Sequence, residues 1–345
     1  NSIDLEVIYY DSKNITTVYD PELNKELNWG IDLLSGYKYF VVPKRDEFIW
    51  LKNMLKNGKY DLFILNGYNR LIIIYAIIIS KIYCKKIALR LDTVEFSKKK
   101  TIKRIIKKRI FWFFNKLFNH FFAVGSLTVK FLKNMGVEEN KISIFSYIVD
   151  NEFFKKESNL TDEEKFSLKK KLNISPSAKI ILSVAKFSER EAPWDLLKAF
   201  KLINGMNLHL LLVGDGPLRN ELEEYVNKNF INNVTFSGYV KYPELPKFYG
   251  ICDLFVHTSN NEPWGVSVQE AMAAGLPVIT SEYVGASIDL IKKGENGFIY
   301  NSGNIQDLKA KLSNALTFDI QVVKETNEEI IESWNYLSTL KSLLN

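Results

Sequence analysis

The stretch Asp253-Leu-Phe-Val-His-Thr-Ser-Asn-Asn-Glu262-Pro-Trp-Gly265-Val-Ser-Val-Gln-Glu270-Ala-Met-Ala-Ala-Gly275-Leu-Pro277-Val-Ile-Thr280 decides the fold, because it punctuates itself. The apolar run Leu254 to His257 reads as a buried strand that ends at Thr258. A polar loop with Pro263 and Gly265 follows. Small and apolar residues from Val266 to Ala274 read as a helix. Gly275 stands where a left-handed C-terminal cap is wanted, and Pro277 prevents the helix from continuing, so that the next strand can begin. Strand, loop, helix, strand is the unit of a parallel α/β sheet. In such a sheet, the loop after a strand and the start of the next helix form the usual ligand crevice. The first N–H groups of that helix and its positive dipole end suit a phosphate, and Gly265 lets backbone approach it closely. Glu262 and Glu270 flank the same place. A carboxylate repels phosphate, so their partners should be hydroxyl groups. Taken alone, both glutamates also read as solvated charges at a helix end.

Working outward, the second half repeats the alternation, with strands expected at Lys179 to Val184, Leu208 to Val213, Val234 to Phe236 and Pro277 to Thr280. The first half alternates as well: strands at Leu5 to Tyr10, Tyr60 to Leu65, Lys86 to Leu91 and Lys141 to Phe145, and helices at Asp46 to Lys56 and Leu71 to Lys81. Leu71 to Ile79 is the longest apolar run, about half of what crosses a bilayer, and reads as a buried helix. Residues 155–176 are polar and lysine-rich, and a linker is expected there.

A chain of 345 residues exceeds what one core usually supports, so two domains are expected: 1–155 and 156–330, with a helix over 331–345 packing back on the first. Hydrophobic residues at 46% and charged residues at 25% exclude a disordered or fibrous chain. The two cysteines, Cys84 and Cys252, form neither a disulfide framework nor a metal-ligand spacing, which suits a reducing, cytoplasmic compartment. No signal peptide is visible. The opening Asn1 suggests residues missing upstream.

The stretch quoted first closely resembles the family-4 glycosyltransferases, whose signature is two glutamates separated by seven residues ahead of a small-residue helix and Gly-Leu-Pro-Val. Supporting likenesses are Leu211-Leu-Val-Gly214-Asp-Gly216, Phe236-Ser-Gly238-Tyr239-Val240, Val284-Gly285-Ala286 and Gly294-Glu-Asn-Gly297. The resemblance implies a GT-B fold: two Rossmann-like domains whose parallel sheets face a central cleft. It implies a retaining, metal-independent transfer of a hexose from a nucleoside-diphosphate sugar, UDP-sugar first among them. The acceptor would be a glycan or lipid-linked saccharide in cell-surface polysaccharide or glycoconjugate synthesis. Glu262 would contact the sugar hydroxyls and Glu270 the ribose hydroxyls. The Pro263, Trp264, Gly265 and Val266 backbone would hold sugar and phosphate, and Gly214, Tyr239 and Val240 would line the nucleotide side.

The family's arginine and, five residues later, lysine clamp the diphosphate. Here Lys186 takes the first place and Glu191 the second, a negative charge that would repel a diphosphate unless Arg190 turns in to replace the lysine. No Asp-x-Asp or histidine cluster suggests a metal. A nucleotide-sugar epimerase of the same architecture and a catalytically silent sugar-nucleotide-binding subunit remain as alternatives.

The first half resembles the family more loosely, through Asn28-Trp29, Arg90-Leu-Asp92-Thr-Val-Glu95, Ala123-Val-Gly125 and Tyr147-Ile-Val-Asp150. The resemblance implies a further strand and helix ahead of the Leu5 to Tyr10 strand, which fits the expectation of residues upstream of Asn1. Relatives also carry a histidine near the reacting sugar. Asp92 or Glu95 stands in its region, either as an acceptor-side group or as a cap of the following helix. Lys98 to Arg109 is a basic cluster followed by Ile110-Phe-Trp112-Phe-Phe114. A helix over Lys98–Phe114 would suit an anionic membrane surface, giving an enzyme peripheral on the inner face of the membrane. Lysine runs also neutralise nucleic acid, but with the glycosyltransferase resemblance no nucleic acid partner is expected.

Overall fold

The structure, a computed structural model, describes residues 3–10, 17–21, 25–28, 30–96, 102–203 and 207–344. It forms two compact units, Asn1–Phe145 and Ser146–Asn345. Stretch 155–176, expected as a linker, carries the helix Asp162–Lys171. Thr161 and Glu164 close it with a capping box. At the C-terminus lie the helices Ile320–Glu332 and Tyr336–Leu344. Asn345, the last residue of the expected helix, lies outside the described residues, as do Trp29 and Lys98, Lys99 and Lys100 of the basic cluster.

The first unit contains β1 (Glu6–Tyr10), β2 (Thr17–Asp20), β3 (Lys25–Asn28), β4 (Lys38–Val42), β5 (Phe63–Asn66), β6 (Ile87–Leu91), β7 (His120–Ala123) and β8 (Ile142–Ile144). Strands β5 to β8 pair in parallel in chain order, β1 pairs in parallel with β4, and β2 with β3 forms an antiparallel hairpin. Parallel neighbours need crossovers, and the helices Leu71–Ile82 and Ile102–Leu117 are two of them. The hairpin and β4 were not expected: β2 and β3 are four residues each and rich in charge, so no period of two stands out. Helix Leu71–Ile82 is not buried all round, contrary to expectation. Ile72, Ala76, Ile77 and Ile79 enter the core, whereas Leu71, Ile74, Ile78 and Ile82 are 49% to 77% exposed. A helix apolar on every side carries no sign of which face the sheet covers.

The second unit contains β9 (Lys179–Val184), β10 (Leu208–Val213), β11 (Val234–Gly238), β12 (Leu254–His257), β13 (Val278–Ser281) and β14 (Gly297–Tyr300). They form one parallel sheet in the order β11-β10-β9-β12-β13-β14. Helices cover both faces, so every residue of β10 and β12 is buried, and the strands read as apolar runs apart from His209 and His257. Counted within the unit, the order is 3-2-1-4-5-6, and it reverses between β9 and β12. Between β12 and β13 lies the helix Val266–Ala273. Leu276 N donates to Ala271 O and Gly275 N to Met272 O, with Gly275 at φ +82°, a complete Schellman closure.

Candidate functional site

The loops that leave β9 and β12 at their carboxyl ends meet at the reversal point. The loop after β9 carries Lys186, Arg190 and Glu191. The loop after β12 carries Glu262 and Pro263 and runs through Trp264 and Gly265 into helix Val266–Ala273. Backbone and hydroxyl groups bind the two together: Asn260 N donates to Arg190 O at 2.7 Å, Ser259 Oγ to Arg190 O at 3.1 Å, and Thr258 Oγ1 to Glu191 O at 2.8 Å. Eight of the expected residues, Lys186, Arg190, Glu262, Pro263, Trp264, Gly265, Val266 and Glu270, are therefore carried by the loops after two adjacent strands and the helix after the second.

Arg190 bridges the two loops. Its guanidinium pairs with Glu191 and, at 3.2 Å, with Glu262 Oε2; it also donates to Asn261 O at 3.4 Å. Of the two readings of Glu191, the structure has Arg190 turned in beside it. The Glu191 side chain is only 5% exposed and ion-paired, and the following Ala192 adopts a left-handed conformation (φ +47°) at the start of helix Pro193–Lys201. Behind it, His257 Nε2 lies 3.8 Å from Glu191 Oε2. Burial, and secondly the charge of Arg190, push the His257 pKa down to about 4, so the ring is neutral near pH 7. Among the described residues, Glu191, His257 and Glu262 are close enough for one cation to touch all three. The Arg190 guanidinium supplies the positive charge between the two carboxylates.

Glu262 is held from several sides. Its N–H donates to Tyr283 O and its carbonyl accepts from Gly285 N at 2.8 Å, while Oε1 accepts from Trp264 N at 3.3 Å. A Cβ on Gly285 would lie 1.8 Å from Pro263 O, so only glycine permits this approach. Gly265 has φ +100° at the helix start. The Trp264 side chain is buried, its ring 4.8 Å from Trp334, and its backbone N–H and C=O are engaged within the protein. It therefore anchors the loop. Val266 is partly exposed at the mouth.

Glu270, one helical turn further in, is 6% exposed and accepts the Tyr249 hydroxyl at 2.8 Å. Burial pushes its pKa up to about 7, with the Tyr249 bond acting in the opposite direction. Tyr249 was not expected as a partner, since nothing in its spacing aims a tyrosine at Glu270.

On the other side of β9, Phe187 N donates to Asp215 O and Gly214 N to Gly238 O. A Cβ on Gly214 would meet Ala185 O at 2.0 Å. The loops after β9, β10 and β11, carrying Lys186, Gly214, Tyr239 and Val240, thus form a continuous half-buried rim. Asp92 is exposed just after β6 in the first unit. Glu95 pairs with Arg104 of helix Ile102–Leu117 at 3.3 Å, which ties the segment before the helix to its first turn.

Residues 164–333 match the family model of glycosyl transferases group 1, the span that holds all of these second-unit groups. This region belongs to the glycosyl transferases group 1. The chain is 28% identical over 192 residues to the uncharacterized glycosyltransferase MJ1607 of Methanocaldococcus jannaschii, covering 54% of this chain and 49% of that protein. It is 29% identical over 199 residues to the capsular polysaccharide biosynthesis glycosyltransferase CapM of Staphylococcus aureus, covering 55% and 50%. The chain thus spans about half the length of these curated relatives. Among solved structures, Anabaena Alr3699/HepE in complex with UDP-glucose superposes with a TM-score of 0.72 at 16% identity, over 98% of this chain and 98% of that one. A glycosyltransferase from Rickettsia africae gives 0.74 at 17%, over 89% and 83%. The fold is GT-B, with parallel sheets in two α/β units.

Proposed function

We propose that the chain is a retaining hexosyltransferase that uses a nucleoside-diphosphate sugar, with the donor held at the reversal between β9 and β12. One observation carries this reading: two carboxylates, Glu262 and Glu270, flank the N-terminus of helix Val266–Ala273, with the loop of Lys186 and Arg190 beside them. Hydroxyl-binding groups on either side of an anion-binding helix start match a molecule with a sugar and a ribose on either side of a diphosphate. Glu270 takes the ribose hydroxyls and Glu262 the hexose hydroxyls, and the rim of Gly214, Tyr239 and Val240 takes the base. The complexes of Alr3699/HepE with UDP and UDP-glucose favour uridine as that base.

Transfer with retention then needs no protein nucleophile. The acceptor hydroxyl attacks from the side on which the diphosphate leaves, and the leaving phosphate accepts its proton. Lys186 and the helix N-terminus stabilise the departing charge, and no metal is required. Asp92 is the acceptor-side candidate. The acceptor is a glycan or lipid-linked saccharide. Helix Ile102–Leu117 offers the means to reach a membrane: Ile105, Ile106, Trp112 and Phe113 are more than half exposed, between Lys108, Arg109 and Lys116. No helix among the described residues is long and apolar enough to cross one.

Calorimetry with UDP, GDP and ADP sugars tests the donor site. Micromolar binding of one nucleotide, weakened at least about 10-fold in Glu270→Ala, is expected, since a lost charged hydrogen bond is worth about 1.5–3 kcal/mol. An absence of binding across the whole panel would sink the reading.

A further inference from the structure

A carboxylate stands where the group 1 pattern leads one to look for a diphosphate-binding lysine, yet the structure does not present it as a repulsive charge. Glu191 is 5% exposed, while Arg190 is 52% exposed at its side chain. The buried partner is therefore the fixed one and the exposed partner the one that is held. Two further contacts restrict the guanidinium, one to Glu262 Oε2 and one to Asn261 O. Both acceptors lie on the loop that leads into the helix N-terminus. A guanidinium carries more N–H donors than these contacts occupy, so a fixed Arg190 retains donors for an anion.

We propose that Glu191 is a positioning residue that holds Arg190 as the second cation of a diphosphate clamp, restoring by an ion pair what the sequence lacks at the lysine position. The inference rests on the donor-site reading above. His257 belongs to the same arrangement. Its ring closes the space behind Glu191 with Nε2 at 3.8 Å, so the carboxylate faces Arg190 and not solvent. The binding of Arg190 to Glu262 also links the diphosphate end of the donor to the sugar end through one side chain.

The test is a set of binding constants for the nucleoside diphosphate that the wild-type chain selects, for its monophosphate and for the bare nucleoside, each without sugar. Arg190→Ala is expected to weaken the diphosphate at least about 10-fold and the nucleoside less than about 2-fold, since a charged hydrogen bond is worth roughly 1.5–3 kcal/mol. Arg190→Lys should recover part of the loss. Glu191→Gln should weaken the diphosphate several-fold, and adding it to Arg190→Ala should cost nothing more, because Glu191 acts only through Arg190. Melting temperatures of the variants separate a binding loss from a folding loss.

The inference is overturned if Glu191→Gln weakens the diphosphate equally with and without Arg190. It is also overturned if Arg190→Ala affects only the nucleotide sugar and leaves the free diphosphate unchanged, which would make Arg190 a support of Glu262 alone. A wild-type chain that binds no nucleotide at all would overturn the donor reading itself, an outcome these variants cannot imitate.

Discussion

The two units use the same elements and differ in where their backbones touch. In the second, two glycines are contact points between loops: a Cβ on Gly214 would reach Ala185 O at 2.0 Å, and one on Gly285 would reach Pro263 O at 1.8 Å. In the first, Gly67 and Gly136 have positive φ and open space around them, so they only turn the chain. The second unit has one six-stranded sheet, whereas the described strands of the first fall into a four-stranded sheet and two pairs. Side chains that must face a small ligand within tenths of an ångström need loops bound to one another, and the second unit provides them. The first unit keeps much of its apolar helix surface open.

The sharpest way to break that comparison is to add one methyl group on each side of it. Gly285→Ala cannot be relieved by a side-chain shift, because the obstacle is the Pro263 carbonyl. A loss of about 3 kcal/mol in urea unfolding is expected, together with loss of donor binding as Glu262 moves. Gly67→Ala meets no neighbour and bears only the strain of φ +73°, about 1 kcal/mol. Equal losses would mean that the stitched loops contribute nothing special.

A second prediction concerns the charge that the second unit buries. Burial raises the Glu270 pKa from the ordinary carboxylate value of 4.5 to about 7. The native state therefore keeps its proton to higher pH than the unfolded chain does. The stability that the neutral form provides is fully present below about 4.5 and is lost as pH rises through about 7, about 3 kcal/mol in all. Glu270→Gln retains an acceptor for Tyr249 and does not titrate. Between pH 4 and pH 8 the stability difference should thus move by about 3 kcal/mol in favour of the variant. A pH-independent difference would show that Glu270 takes up its proton at the same pH in the folded and the unfolded chain, and a change of opposite sign that the site holds it ionised. Ribose hydroxyls favour the ionised form, so donor binding should strengthen as pH rises through about 7.

The same contrast governs what could be read in advance. The strands Lys179–Val184, Leu208–Val213 and Leu254–His257 are legible to the residue, because a strand covered on both faces must be apolar throughout and the turns around it carry glycine and proline. The helix closure at Gly275 is legible for the same local reason. The buried place of Glu191 is not, since its carboxylate lies beside His257 from another strand, which sequence spacing does not record. Tyr249 and Glu270 meet across 21 positions, with no pattern linking them. In the first unit, the exposed stripe of Leu71, Ile74, Ile78 and Ile82 was invisible because a uniformly apolar helix has no marked face.

The smallest expected effect lies on that open surface. Ile105 and Trp112 are 58% and 61% exposed, and the Lys116 ammonium sits 3.8 Å from the centre of the Trp112 ring. Side chains this exposed contribute little to folding, so Ile105→Ser and Trp112→Ser should each change stability by only about 0.5 kcal/mol. Lys108, Arg109, Trp112 and Lys133 line one surface hollow, which joins cationic groups to an aromatic ring suited to a headgroup region. If the surface is open because a membrane covers it, the double variant should lose sedimentation with vesicles rich in anionic lipid while its unfolding midpoint barely moves. Retained sedimentation would mean that charge alone carries the contact, and salt should then abolish it. A large loss of stability would instead show that the face is needed within the protein, and the contrast between a closed second unit and an open first one would no longer hold.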